Sequence, residues 1–149
     1  MKLIYNQTFL SKNNDYISYD ITDESNVHIG TAEGSGNKYG DFVSIIKIFN
    51  PEFYNMGLGL QFFKKVFDFI NIHHPIYVIK ASWHKGGEFK DFKNGMSSNL
   101  LIFKQNLQKF TPTQSAVSTP TGRWAAKIGF TNCEIITNTD DEVIVHFTR

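Results

Sequence analysis

The sequence predicts one mixed α/β domain with a parallel strand–helix–strand unit at its centre. A length of 149 residues is close to the commonest domain size. Segments with alternating apolar and polar residues, typical of half-buried strands, lie on both sides of a nearly continuous apolar segment at residues 42–49. That segment is followed by a loop, an apolar stripe with helical spacing and a second apolar strand at residues 76–82. Two successive strands joined through a helix run parallel.

Three further strands are predicted before this unit. Residues 1–5 are apolar and should form an edge strand, and residues 17–21 alternate between apolar and polar side chains. Another strand begins at Val27 and ends in the glycine-rich sequence of residues 34–37, which suits a hairpin turn. The apolar character of residues 42–49 predicts a central strand covered on both faces.

Periodicity also predicts three helices and two closing strands. The first helix should run from about residue 58 to residue 71, and the second carries apolar residues at positions 100, 103, 107 and 110. Ser97, Ser98 and Asn99 are the candidate N-caps of the second helix. A short third helix is expected over residues 121–128, with Ser118 or Thr119 as N-cap and Gly129 after its last turn. Alternating residues 133–137 and 142–148 predict the closing strands.

Composition limits the function classes. A formal net charge of +1 gives no electrostatic reason to expect nucleic acid or an anionic membrane surface as partner. The single cysteine, Cys133, has no disulfide partner within the chain and is expected as a buried strand residue. We expect a cytoplasmic protein, because the N-terminus turns polar too early for a secretory signal. We expect no metal, since the adjacent His73 and His74 suit a solvated helix end better than a zinc site.

The segment FNPEFYNMGLG, residues 49–59, carries the chemistry. A strand leads into a glycine-containing loop that opens onto an amphipathic helix. The first turn of a helix has unpaired N–H groups and a partial positive charge. Gly57 and Gly59 lack the Cβ atoms that would hold an anion away, so the segment predicts a site for a phosphate or pyrophosphate. The alternative is that both glycines serve only the geometry of the turn.

This segment resembles the sequence V-x-P-E-Y-R-G-x-G-I-G of the GNAT (Gcn5-related N-acetyltransferase) superfamily. The proline, the glutamate, an aromatic residue and two glycines fall in register without a gap. The sequence KIGF at residues 127–130 resembles a second element of that family, which ends a short helix before the sixth strand. The order of elements from residue 40 onward is similar to the C-terminal two-thirds of the family.

The resemblance implies a GNAT-like, mostly antiparallel sheet and an acetyl-CoA-dependent N-acetyltransferase, with acetyl-CoA or another acyl-CoA as cosubstrate. The acetyl group would pass to a primary amine, on a small molecule or a peptide, by direct attack in a ternary complex. The pantetheine arm would run along the strand that ends near Phe49, and the pyrophosphate would bind backbone amides of residues 56–60. The implied cofactor-binding residues are Phe49, Tyr54, Asn55, Met56, Gly57, Leu58, Gly59 and Leu60. A terminal edge strand could pair across a homodimer.

The sequence also departs from the family. Tyr54 and Met56 replace the basic residues of the loop, and Ala125 stands where many members carry a tyrosine that protonates the leaving thiolate. Residues 6–15 are too few for the two usual N-terminal helices, whereas residues 84–119 form a long insertion with a helix of its own, which we expect to cover the acceptor side instead.

These departures leave an alternative function open, a catalytically inactive acyl-CoA-binding or protein-interaction module. For the enzyme, His84 is the candidate general base or acid, with a solvated surface histidine as the alternative. Trp83 and Trp124 line an acceptor pocket or fill the core; the core is the preferred interpretation for Trp124.

Overall fold

The computed structural model describes residues 1–149, apart from the side chain of Glu88. The chain divides into two compact units, Met1–Tyr77 and Val78–Arg149. Each unit has a sheet of antiparallel strands and at least one helix of its own.

The first unit is a four-stranded antiparallel sheet followed by a long helix. Its strands are neighbours in chain order, and a short 3-10 turn, Pro51–Phe53, precedes the helix. The elements are β1 (Ile4–Leu10), β2 (Tyr16–Thr22), β3 (His28–Gly36), β4 (Asp41–Ile48) and α1 (Leu58–His73). The backbone between β1 and β2 is a turn, so the predicted loss of the N-terminal helices is confirmed.

Helix α1 lies against a face of β3 built from very small residues. Gly30, Ala32, Gly34 and Gly36 occupy alternate positions of the strand, so they point to one face. A Cβ atom added to Gly34 would lie 2.8 Å from Cβ of Val66, and one added to Gly36 would lie 2.5 Å from Cγ2 of Ile70. Larger side chains on this face would therefore push α1 away from the sheet. The glycines therefore determine how closely α1 packs against the sheet, and so where the helix begins.

The expectation that β4 is covered on both faces is wrong. Phe42 is fully buried, but Val43 is 42% exposed and the residues from Ser44 to the end of the strand are only half-buried. The prediction was made because apolar side chains occur on both faces of this strand. The sequence pattern does not show whether another element of the same unit packs on each face.

The second unit contains a three-stranded sheet and three helices. The elements are β5 (Val78–His84), α2 (Ser98–Asn106), α3 (Pro112–Val117), α4 (Pro120–Lys127), β6 (Asn132–Asn138) and β7 (Glu142–Thr148). Strand β7 pairs with both β5 and β6 in antiparallel fashion. Strand β5 follows α1 along the chain, as the predicted strand–helix–strand unit requires.

The predicted starts of α2 and α4, and the predicted end of α4, are confirmed by their caps. The Ser97 hydroxyl accepts a hydrogen bond from the Leu100 N–H at 3.2 Å, and the Thr119 hydroxyl accepts one from the Gly122 N–H at 3.0 Å. Gly129 follows α4 with a φ of 94°. The insertion holds α2, α3 and two short 3-10 turns, more structure than predicted, and Phe110 lies beyond α2 with half of its surface exposed.

The core was the preferred interpretation for Trp124, but of the two tryptophans it is Trp83 that is buried in the core. Trp83 is 3% exposed and its ring lies 5.9 Å from that of Phe103, so it belongs to the core of the second unit. Trp124 is half-buried on α4. Both positions are apolar and aromatic, and only the packing distinguishes a core residue from one at the surface.

Cys133 gives a first testable prediction. Burial raises the pKa of its thiol from 9.0 to about 11, so at pH 8 the native protein should hold about 100-fold less thiolate than the unfolded chain. We expect iodoacetamide to alkylate the native protein at least about 100-fold more slowly than the urea-unfolded protein, as measured by mass spectrometry. Equal rates in the two states would contradict the raised pKa, and Cys133→Ser provides the unlabelled control.

In the described part of the chain, no helix is both long and apolar enough to cross a membrane. Strands β1 and β6 are the edges of their respective sheets. A homodimer formed through one of them stays a prediction.

Candidate functional site

The loop between β4 and α1 is held by local hydrogen bonds. The side chain of Asn50 accepts a hydrogen bond from the Glu52 N–H at 3.1 Å, and the Tyr54 N–H donates to the carbonyl of Pro51 at 3.0 Å. Pro51 occupies the start of the 3-10 turn, where its fixed φ fits and its missing N–H costs nothing. The start of the loop therefore has a defined conformation without help from a ligand.

Two residues of the loop adopt the left-handed conformation. Gly57 has a φ of 74°, and Asn55 has a φ of 60°. Asn55 occupies a position where the GNAT sequence has glycine, and asparagine is among the non-glycine residues that enter this region most readily. The asparagine thus permits a backbone conformation that most other side chains would disfavour.

The N-terminus of α1 is open. Gly57 is its N-cap, makes no side-chain hydrogen bond, and a Cβ atom built on it meets no atom within 4 Å. The first intrahelical bond, from the Gln61 N–H to the Gly57 carbonyl, measures 3.4 Å. Within the described part of the chain, the amides of Leu58, Gly59 and Leu60 have no hydrogen-bond partner. Three N–H groups at the positive end of the helix therefore lack hydrogen-bond partners, beside an open space at Gly57.

The eight predicted cofactor-binding residues include two that anchor the loop to the core and three large side chains that form an exposed rim. Leu58 is 5% exposed and Gly59 is buried, so these two attach the first turn of α1 to the core. Phe49, Tyr54 and Met56 are 49%, 46% and 50% exposed. The rim has aromatic and thioether side chains and no positive charge, which leaves the backbone as the source of any attraction for an anion.

Two basic residues of the first unit lie further along α1. Lys64 and Lys65 are both exposed. The ammonium group of Lys65 lies 5.0 Å from the ring centroid of Tyr5 and 5.6 Å from that of Tyr19. Cation–π contacts of this kind hold Lys65 against the two tyrosines.

His84 and Ala125 belong to the second unit. His84 is the last residue of β5, lies opposite Glu142 of β7 and is half-buried, with its ring 5.4 Å from that of Phe89 in an edge-to-face arrangement. Ala125 is fully buried in α4, and its carbonyl accepts a hydrogen bond from the Phe130 N–H at 2.9 Å. A methyl side chain has no proton to donate, so the role of the family's tyrosine is not filled at this position.

The structure also contains a histidine–carboxylate pair that sequence reasoning missed. Nε2 of His28 is hydrogen-bonded to Oδ1 of Asp20, and the His28 ring lies 4.9 Å from the ring of Phe49. Strand alternation would place His28 on the same face as Gly30, against α1. A bulge prevents this, since Ile21 pairs with Gly30 but the next residue, Thr22, pairs with His28. The bulge turns His28 to the opposite face, where Asp20 lies.

The comparisons with known proteins extend this picture. Neither a family model nor a curated protein matches the sequence. Solved structures do match: nourseothricin acetyltransferase is 13% identical, with a TM-score of 0.51 over 89% of this chain and 64% of that one. Aminoglycoside acetyltransferase AAC(6')-Ib, solved with coenzyme A and kanamycin, is 14% identical, with a TM-score of 0.50 over 92% of this chain and 69% of that one.

These similarities confirm the predicted fold class, a mixed α/β fold with mostly antiparallel strands. The chain is shorter than both enzymes and spans about two-thirds of their lengths. The segment of residues 49–59 and the Gly129-Phe130 element also lie in their predicted places. With these two elements, the structural similarities establish that this chain has the fold of the GNAT acetyltransferases.

Proposed function

We propose that this protein is an acetyl-CoA-dependent N-acetyltransferase that transfers the acetyl group directly to a primary amine in a ternary complex. The observation that carries the proposal is the N-terminus of α1, where three amides lack hydrogen-bond partners and the space around the Gly57 N-cap is open. Such a terminus binds phosphate groups through its N–H donors and its dipole. The aminoglycoside acetyltransferase solved with coenzyme A supports an acyl-CoA as the source of those phosphates.

The predicted cofactor-binding residues would hold different parts of the coenzyme. The backbone amides of residues 56–60 would bind the pyrophosphate, with Gly57 allowing close approach. The exposed ring of Phe49 would pack against the pantetheine arm at the end of β4. Tyr54 and Met56 offer apolar surface where the family offers charge, so we expect weaker coenzyme binding than a basic loop would give.

Catalysis would rest mainly on positioning. Holding the amine against the thioester carbonyl replaces a bimolecular encounter by a reaction within one complex. Hydrogen-bond donors aimed at the carbonyl oxygen would stabilise the negative charge that develops there. His84 remains the candidate acid–base residue of the second unit, at the end of β5.

Isothermal titration with CoA and with acetyl-CoA tests the proposal. We expect dissociation constants below 1 mM for both ligands, because even a loop without basic residues retains its amide donors. Absence of binding near millimolar concentration would overturn the proposed function.

Two variants that introduce opposite charges at Gln61 give a sharper prediction. Gln61 is exposed at the fourth position of α1. A carboxylate there stabilises the helix but repels a diphosphate, and an ammonium does the reverse. We expect Gln61→Glu to weaken CoA binding about fivefold and Gln61→Lys to strengthen it about fivefold, by roughly 1 kcal/mol each.

The opposite signs separate a binding effect from damage to the fold. The melting temperature of Gln61→Glu should equal or slightly exceed that of the wild type. Both changes in CoA affinity should become smaller at high salt. Equal affinity for all three proteins would mean that the coenzyme does not bind at the start of α1.

A catalytically inactive acyl-CoA-binding or protein-interaction module is the second candidate. The buried methyl group of Ala125, at the position of the family's proton donor, is the observation that favours it. Release of free thiol from acetyl-CoA in the presence of a panel of primary amines distinguishes the two. Binding without any thiol release would favour the inactive module.

A further inference from the structure

The chain between β5 and α2 leaves and rejoins the second unit at one place. Lys85 and Met96 form an antiparallel bridge there, and the Gly86 N–H donates to the carbonyl of Gly95 at 2.8 Å. Strand β5 ends immediately before this bridge, and α2 begins two residues after it. Residues 86–95 therefore form a closed lobe, which is joined through a narrow neck to a strand on one side and a helix on the other.

The lobe is held together by local contacts of its own. Its backbone hydrogen bonds join residues three positions apart: the Phe89 N–H donates to the Gly86 carbonyl at 2.8 Å, and the Phe92 N–H donates to the Phe89 carbonyl at 3.0 Å. The rings of Phe89 and Phe92 pack edge to face at 5.3 Å, and both side chains are half-buried. Contacts within the lobe need not change when the lobe moves as one body.

Backbone freedom is concentrated where the lobe meets its neck. Gly86, Gly87 and Gly95 have φ values of 72°, 52° and 66°, and Asn94 has a φ of 57°. A Cβ atom built on any of these three glycines meets no atom within 4 Å. Lack of space therefore explains the glycines of β3 but not these, which serve the left-handed backbone. A few residues at both ends of a closed segment that can absorb changes in φ and ψ are able to act as a hinge.

In this structure the lobe lies against the end of β5. The Phe89 ring is 5.4 Å from the His84 ring in an edge-to-face arrangement, and His84 is half-buried. An aromatic contact of this kind stabilises the closed position only modestly, so it can break and re-form in the native protein. The proposed function places its candidate acid–base residue at His84, and the Phe89 ring occupies the space beside that residue.

We propose that the lobe is a lid, which closes Phe89 onto His84 and opens at its glycine hinge to admit the acceptor amine. The inference rests on the proposed function for the identity of the molecule that passes the lid. Only protein with an open lid binds the amine, so the apparent affinity for the amine is reduced by the open fraction. Changes that weaken the closed position should therefore increase both the exposure of His84 and the use of the amine.

Reaction of His84 with diethyl pyrocarbonate, followed by mass spectrometry of its peptide, measures the open fraction. We expect Phe89→Ala to increase the rate of this reaction about fivefold, because it removes the ring that holds the closed position. Phe89→Tyr keeps the ring and should leave the rate within about twofold of the wild type. His73 is exposed at the end of α1 and provides an internal standard, since its rate should be the same in every variant.

A second pair of variants acts on the hinge and leaves both rings in place. Gly95→Ala puts a β-carbon on a left-handed residue, which favours the open lid, where φ can relax, and should also increase the His84 rate about fivefold. Gly95→Asn introduces a larger side chain that tolerates this region, as the neighbouring Asn94 does, so its rate should stay close to that of the wild type.

Release of free thiol from acetyl-CoA with a panel of primary amines measures passage of the acceptor. Phe89→Ala and Gly95→Ala should raise kcat/KM for the amine about fivefold and leave KM for acetyl-CoA unchanged. Equal His84 rates in these two variants and the wild type would overturn the inference, and so would faster labelling without any gain in amine acetylation. If the wild type binds no acetyl-CoA in a calorimetric titration, the proposed function fails, whereas the His84 rates still decide whether the lobe opens.

Discussion

Replacing Phe42 by alanine is expected to lower the free energy of unfolding of the first unit by about 3–5 kcal/mol, the usual cost of truncating a buried phenylalanine. Phe42 is fully buried at the start of β4. Its ring meets those of Phe63 at 5.8 Å and Phe67 at 5.3 Å, both edge to face. The substitution removes both ring contacts and leaves a cavity between β4 and α1.

Urea denaturation followed by circular dichroism measures this loss, and the neighbouring strand residue provides a matched control. Val43 is 42% exposed, so Val43→Ala should cost less than about 1 kcal/mol. Similar losses for the two variants would contradict the description of Phe42 as the residue that joins β4 to α1. If two transitions are seen, the loss should appear in only one of them.

Gly30→Ala is expected to cost about 3 kcal/mol, at the upper end of the range for overpacking. The new Cβ atom would lie 2.0 Å from the backbone oxygen of Lys47 and 3.0 Å from the ring of Phe62. A side chain can rotate away, but a backbone oxygen in a paired strand cannot. Relief would require β3 and β4 to separate next to the loop that precedes α1, so the start of the proposed coenzyme site should be disturbed as well.

Gly36→Ala tests this distinction between backbone and side-chain clashes. Its new Cβ atom would lie 2.5 Å from Cγ2 of Ile70. Leucine has no methyl group at that position, so Ile70→Leu should recover about 1 kcal/mol in the Gly36→Ala background. The Gly30→Ala loss should not be recovered by Phe62→Leu. Recovery in that second pair, again measured by urea denaturation, would show that the ring and not the strand spacing sets the cost.

The strands, helices and caps could be predicted because each depends on neighbours a few residues apart. Ser97 and Thr119 reveal helix starts through their own hydroxyl groups, and Gly129 marks a helix end through its backbone freedom. The open start of α1 follows in the same way from Gly57 and from the apolar stripe behind it. The GNAT fold itself was predicted from two short motifs in the correct order, and the solved structures confirm it.

The histidine–aspartate pair could not be predicted, because its formation depends on strand pairing. In the sequence, His28 opens a strand and Asp20 lies in the strand before it. Regular alternation predicts the wrong face for His28, and one extra residue in the register reverses the result. The prediction that β4 is covered on both faces was wrong for a related reason, since burial depends on which elements pack on a strand.

By itself, the sequence of this protein determined the order of its elements and the glycine N-cap at the start of α1. Periodicity, capping and left-handed backbone positions are set by interactions within a few residues. Only the tertiary structure decided which side chains share a surface: Phe49 beside His28, His28 beside Asp20, and Trp83 in the core. The physical reason is that such contacts join residues distant in the chain, and a single bulge in one strand is enough to change them.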